Sequence, residues 1–177
     1  MTFPLPTWLV LSLVLATTAC APAPRSPRPN ATSGEVLEFT GSWNGVGTRH
    51  AITLGQGRLG AIVNLTGSLL LAGDGRPGVG FHSEVIGLTD TATGFQGRSV
   101  WTDEPGDQVY SELTGEGTAA KNRIVGTILS GTGRYAGLTG SYEFSWQWVM
   151  DGEEGMVQGR AVDIRGRVQG GRERSSP

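Results

Sequence analysis

Two side chains in this 177-residue chain have the types and spacing of an acid/base pair. His82 and Glu84 lie two apart in a run that alternates in polarity, so both point to one face of a strand. On a buried face the Glu84 carboxyl would hold its proton more tightly and could act as a general acid or base, with His82 as its partner. If both instead lie near a strand end, they are simply solvated. Other chemistry is thinner. The run Asp103-Glu104-Pro105-Gly106-Asp107 is acidic, but it lacks the spacing and terminal glutamate of a calcium loop and reads as a hairpin turn. His50 is far from other ligand types, and neither Cys-x-x-Cys nor His-x-x-x-His occurs, so no metal is expected. No serine stands in Gly-x-Ser-x-Gly, and no helix follows Gly41, Gly45 and Gly47 to hold a phosphate; no cofactor is expected.

Aromatic residues supply a second constellation. Tyr142, Phe144, Trp146 and Trp148 alternate along one segment and share a face. That stripe is either ordinary core or, together with Trp101, the wall of a pocket for a small apolar or aromatic ligand. Val149, Met156, Val162 and Ile164 fall on the opposite face, where an apolar outer patch could join subunits of a homo-oligomer.

The elements that must position these residues are strands. Between Val36 and Val168 no stretch repeats apolar residues at helical spacing, whereas period-two runs recur between Gly, Asp and Asn clusters. Candidate strands cover 36–43, 46–54, 58–72, 80–89, 95–102, 107–115, 123–130, 138–149 and 156–168. The 29 glycines, about double the average share, suit tight turns and close strand approach. Eight or nine strands with short connections predict an all-β, antiparallel, roughly eight-stranded closed barrel with short hairpin turns, which leaves no free sheet edge.

Register follows from the turns. A loop over Asp90 to Thr93 sets Leu88 against Phe95, Glu84 against Ser99 and His82 against Trp101, all facing inward with Ile86. A turn at Glu104-Pro105-Gly106 sets Trp101 against Val109, Ser99 against Ser111 and Gly97 against Leu113, leaving Arg98 across from Glu112 on the wet face. A turn at Asp151 to Glu154 sets Trp146 against Gly159 and Phe144 against Ala161.

Before the barrel, Leu5 to Ala19 is almost wholly apolar or hydroxylic, the length of a signal-peptide core rather than of a permanent membrane span. It ends at Cys20, the only cysteine in the chain. Thr17-Thr18-Ala19-Cys20 resembles a bacterial lipoprotein signal, which implies a lipidated Cys20; an ordinary secretory signal cut nearby would leave Cys20 a free thiol and the protein secreted. Ala21 to Gly34, rich in Pro, Ala and Ser, reads as a semi-extended spacer. The expected organisation is a signal peptide over 1–19, a lipidated cysteine and tether over 20–34, a barrel over 35–169 and a polar tail over 170–177. The expected location is the bacterial cell envelope, anchored to a membrane.

The segment Gly131-Thr-Gly-Arg-Tyr-Ala-Gly-Leu-Thr-Gly-Ser-Tyr142 resembles the Gly-Thr-Gly-(Lys/Arg)-aromatic-x-Gly-x-x-Gly element of the allene oxide cyclase and dirigent barrel group. It is especially similar to small exported bacterial proteins of that kind, as are Thr102 to Tyr110 and Glu112 to Gly117. The resemblance implies an eight-stranded barrel with an apolar lumen and carries over no catalytic residue. With 14 Lys and Arg against 16 Asp and Glu, the chain has no broad basic surface for nucleic acid. The readings that remain are a binding module for an apolar ligand, a structural or oligomerising envelope protein, and an enzyme of the cyclase or isomerase type using Glu84 or His82.

Overall fold

The computed structural model describes residues 36–73, 78–116 and 123–170. The leader, Cys20, the spacer and the residues after Gly170 lie outside the described residues. Eight strands run in chain order: β1 (Val36–Gly55), β2 (Arg58–Ala72), β3 (Val79–Asp90), β4 (Gly94–Asp103), β5 (Gln108–Gly115), β6 (Arg123–Gly131), β7 (Thr139–Asp151) and β8 (Met156–Gln169). Each pairs antiparallel with the next, and β8 returns to β1, so the sheet closes into a barrel with no free edge. The two segments expected at 36–43 and 46–54 are one strand. Asn44 and Gly45 reads as a break, but Gly45 faces inward beneath the Trp43 ring, where a Cβ would come within 2.9 Å of it.

Inward positions are mostly apolar, and outward ones mix polar and charged side chains with exposed apolar ones. Trp43, Leu65, Leu69, Phe81, Val85, Trp101, Val109 and Leu113 are buried, while the outer wall carries cross-strand ion pairs such as Arg98–Glu112 and Arg165–Glu143. A barrel that spans lipid needs the reverse polarity. The β4–β5 register is the expected one: Trp101 faces Val109, Ser99 faces Ser111, Gly97 faces Leu113, and Arg98 donates to Glu112 at 3.0 Å. That exposed pair contributes about 0.2–1 kcal/mol.

The β3–β4 register differs by one residue. Asp90 pairs with Gly94, so the turn is Thr91-Ala92-Thr93, closed by Gly94 at φ +94°. Three-residue hairpins commonly end on such a left-handed residue, and here Asp90 braces the turn by accepting from the Ala92 N–H at 2.7 Å. The shorter loop turns the strand over: Ser83 and Val85 face inward, while His82, Glu84, Ile86 and Leu88 face outward.

β7 and β8 carry a second correction. Trp146 faces Ala161 and Trp148 faces Gly159, two residues along from the expected register, with bulges between Glu143 and Ser145 and between Trp148 and Met150. At the first bulge, Asp163 and Ile164 together oppose Phe144, and Asp163 adopts φ +56°. The extra residue swings Ile164 into the core, where it is 4% exposed, instead of onto the outer patch. Val149 and Met156 are exposed as expected, and Val162 is half-buried.

Several inward glycines are covered by aromatic rings. Tyr142 lies over Gly126, Trp146 over Gly159, Phe95 over Gly87 and Gly97, and Phe39 with Tyr142 over Gly166. A Cβ at Gly126 would strike the Tyr142 ring, which is itself held by Trp101 at 4.7 Å and Phe39 at 6.4 Å. Gly126→Ala is therefore expected to lower unfolding stability by about 1–3 kcal/mol in a urea titration, the range for overpacking a filled core. Thr127→Ala, one residue along on the outer wall, should change it by less than about 0.5 kcal/mol.

Candidate functional site

The two ends of the barrel are built differently. One end, called here the lower, carries the β4–β5 turn and the β6–β7 connection; the upper carries the β1–β2, β3–β4 and β7–β8 turns.

A polar lock closes the lower end. Between β6 and β7 a single 3₁₀ turn, Gly133–Tyr135, folds back over the lumen. Tyr135 packs on Phe81 at 5.7 Å, and Arg134 lies 5.0 Å above the Tyr135 ring. The Arg134 guanidinium pairs with Asp103, whose side chain is 1% exposed. Asp103 also accepts from the Asp107 N–H at 2.8 Å, and Asp107 accepts from the Arg134 N–H at 3.1 Å. Gly133 (φ +49°) abuts the Asp107 carboxylate, which a Cβ there would displace from the Arg134 N–H. The acidic turn expected at 103–107 is thus a hairpin turn whose carboxylates hold the next loop, and no group of three metal-ligating side chains occurs among the described residues.

Above the lock the lumen is packed. Phe39, Phe81, Trp101, Tyr135 and Tyr142 make a continuous aromatic cluster. At mid-height Ser83, Ser99 and Ser111 are buried on three neighbouring strands, and Ser99 Oγ lies 3.2 Å from the Tyr142 hydroxyl. Burial pushes the Tyr142 hydroxyl above its ordinary pKa, so it stays protonated and able to donate.

The upper half is hollow. A cavity of about 370 Å³ is lined by Leu59, Ala61, Val63, Leu65, Phe95, Ile124, Phe144, Trp146 and Trp148, with Arg49 and Glu116 as its only charged lining residues among the described ones. That volume lies within the range of small-molecule sites. Its walls come from the long β1–β2 hairpin, which rises past the core, and small side chains at Ala51 and Ala61 leave the space unfilled. Trp148, 39% exposed, stands at the rim edge-on to Trp146, with Arg49 5.4 Å above its ring. Arg49 also pairs with Asp151 across the β7–β8 hairpin. The β5–β6 connection at this end, 117–122, lies outside the described residues. A wider hollow of about 920 Å³ on the outer wall is lined by Glu38, Arg123, Glu143, Arg165 and Arg167, whose charges are engaged with one another.

The expected site residues fall in three places. Phe144, Trp146 and Trp148 line the upper hollow, whereas Trp101 and Tyr142 belong to the packed half, border a cavity of about 20 Å³ and do not line that hollow. His82 and Glu84 do share a strand face, but it is the outer one, where His82 Nε2 lies 3.2 Å from Thr66 Oγ1. The one-residue slip removes the geometric ground for an acid/base pair inside the lumen. Trp43, Leu59, Ala61 and Val63 are lining residues the sequence reading did not single out, although the alternation of Ala61, Val63 and Leu65 marks their common face. No known protein family, no curated protein and no solved structure matches this chain.

The lower lock has a pH signature. Burial is the main cause that pushes the Tyr135 hydroxyl up to about 12, with the nearby Arg134 charge opposing it. A raised folded-state pKa stabilises the fold fully below the ordinary value near 10 and loses that contribution as pH rises through about 12. Stability should therefore fall between pH 10 and 12, and Tyr135→Phe should flatten that limb of a melting-temperature profile. An unchanged slope in the variant would place the titration elsewhere.

Proposed function

We propose that this chain is a binding module: an envelope barrel that takes a small apolar or aromatic ligand into its upper half. The observation that carries the reading is the contrast between the two halves of one lumen. The lower half is filled with rings and closed by an ion pair whose carboxylate, Asp103, is buried, whereas the upper half keeps about 370 Å³ of mostly apolar space. Apolar lining that faces water in this open hollow forgoes burial, which an apolar ligand would restore. The leader and Cys20 support export and tethering by acyl chains, two or more of which hold firmly to a bilayer. The likeness of the Gly131 to Gly140 turn to the allene oxide cyclase and dirigent group supports the same picture of a barrel around an apolar lumen.

A second reading has its own observation. Ile52, Leu54, Ile62, Ile86 and Leu88 are 46–62% exposed and adjoin on the outer wall of β1, β2 and β3. Such a patch favours a structural, self-associating role. A constant monomer mass by light scattering at millimolar concentration would count against it.

The binding reading is tested with prodan, an uncharged naphthyl dye whose emission shifts to the blue in apolar surroundings. One dye per chain should bind, and Ala61→Trp, which fills the hollow, should weaken binding at least tenfold without lowering the melting temperature. Equal binding by the variant would exclude the upper hollow as the site. Tethering has a separate readout. Cys20→Ser should abolish incorporation of labelled palmitate and move the protein from the membrane fraction to the soluble one; continued labelling would refute anchoring through Cys20.

A further inference from the structure

Closure of the barrel removes the sheet's edges only as far up as β8 reaches. The last β1–β8 pair is Thr48 with Met156, while β1 stays paired with β2 up to Gly55 at the hairpin tip. Between those points every second residue of β1 turns its backbone N–H and C=O away from β2. At Arg49 the β7–β8 turn still covers that side, since Gly155 lies against the Arg49 carbonyl. From His50 to Leu54 no described strand or turn takes the edge. The other side of the hairpin is different. β3 pairs with β2 up to Gly60, and beyond it Thr91 accepts from the Leu59 N–H at 3.1 Å and donates to the Leu59 carbonyl at 3.0 Å. The hairpin is thus open along one side. Natural edges are commonly blunted by a charge, a proline or a bulge. His50-Ala51-Ile52-Thr53-Leu54 holds no Asp, Glu, Lys, Arg or Pro, and its bulge lies at the tip, between Thr53 and Gly55. All five residues are exposed, with Ile52 and Leu54 on the outer wall beside Ile62.

We infer that this edge pairs with the same edge of a second copy of the chain, antiparallel about a two-fold axis at Ile52. The inference rests on the self-association reading and gives it a geometry; it is independent of ligand binding. An open edge is completed by another strand, and a two-fold axis lets one edge serve as its own complement. Centring the axis on Ile52 pairs the whole open stretch. Ile52 then meets Ile52 and His50 meets Leu54 on the outer face, while Ala51 meets Thr53 on the inner one. None of these pairs opposes like charges. The sheet becomes continuous through β2 and β1 of one copy into β1 and β2 of the other. Its outer face joins Ile52, Leu54 and Ile62 of both copies into one apolar surface, half of which a strand from an unrelated chain would have to supply.

The test uses the full chain carrying Cys20→Ser, which removes the lone thiol and any acyl anchor. Light scattering up to millimolar concentration is expected to reach the mass of a dimer. Ile52→Lys sets two like charges face to face across the axis and should raise the dissociation constant roughly tenfold or more. Ile86→Lys, on the same outer patch but two strands from the edge, should change it by less than about threefold. Ile52→Cys should link the two copies under mild oxidation, because directly opposed residues bring their Cβ atoms to about 4.5–5.5 Å, and Ile86→Cys should not. A readout without any change to the edge is deuterium exchange. Amides of residues 50–54 that face the open side should exchange more slowly at millimolar than at micromolar concentration. A dimer that Ile86→Lys weakens as much as Ile52→Lys does, with no Ile52→Cys link, overturns the inference in favour of face-to-face contact and keeps the self-association reading. A dimer whose amides at 50–54 exchange alike at both concentrations also overturns it. A constant monomer mass ends the inference and the self-association reading together, and leaves the edge to a strand of another protein.

Discussion

The barrel depends on the fit of aromatic rings onto inward-facing glycines. Eight strands enclose a lumen just wide enough for side chains to fill. A ring projecting inward from one strand needs the neighbouring strand to be bare at that point. Gly126 is bare beneath Tyr142, Gly159 beneath Trp146, and Gly87 beneath Phe95. Each pairing exchanges a weak spot in a strand for a large buried contact, and it ties together strands that hydrogen bonds alone would join only edge to edge. Where such pairings and the Tyr135 turn coincide, the lumen is solid. Above them the β1–β2 hairpin continues with Ala51 and Ala61 facing inward, and the lumen is hollow.

Much of this is legible in the sequence, and the losses have local causes. The β4–β5 pairing can be read because its two faces differ in kind: Trp101, Val109 and Leu113 against Arg98 and Glu112. β3 cannot be read in the same way. It carries large apolar residues on both faces, Phe81 and Val85 inside and Ile86 and Leu88 outside, so hydrophobic pattern does not choose between registers one residue apart. The length of the turn after Asp90 decides, and nothing in its composition distinguishes three residues from four. Asp163 at φ +56° is a bulge without a glycine, so the inward swing of Ile164 leaves no mark in the sequence. The aromatic stripe of β7 gives the side on which its rings lie but not their height, and height is what separates Tyr142 in the packed half from Trp148 at the rim.

The lock and the hollow are complementary parts of one design. Asp103, Asp107, Arg134 and Tyr135 close the lower end around a buried carboxylate, where the chain also enters β1 at Val36. Removing Arg134 would leave the buried Asp103 carboxylate without its cation, so that end is held more firmly than an exposed pair alone would hold it. The upper rim, by contrast, is held by exposed pairs such as Arg49–Asp151 and Arg58–Asp90, worth little each. Among the described residues the barrel is thus held more firmly at its base than at its rim.

The central claim, one lumen solid below and hollow above, is tested most directly by diffusing xenon under pressure into crystals of the protein, since xenon collects in dry apolar cavities. The account predicts xenon density between Leu59, Val63, Phe144 and Trp146, and none among Phe81, Trp101 and Tyr135. Density in the lower cluster, or none in the upper half, would contradict it.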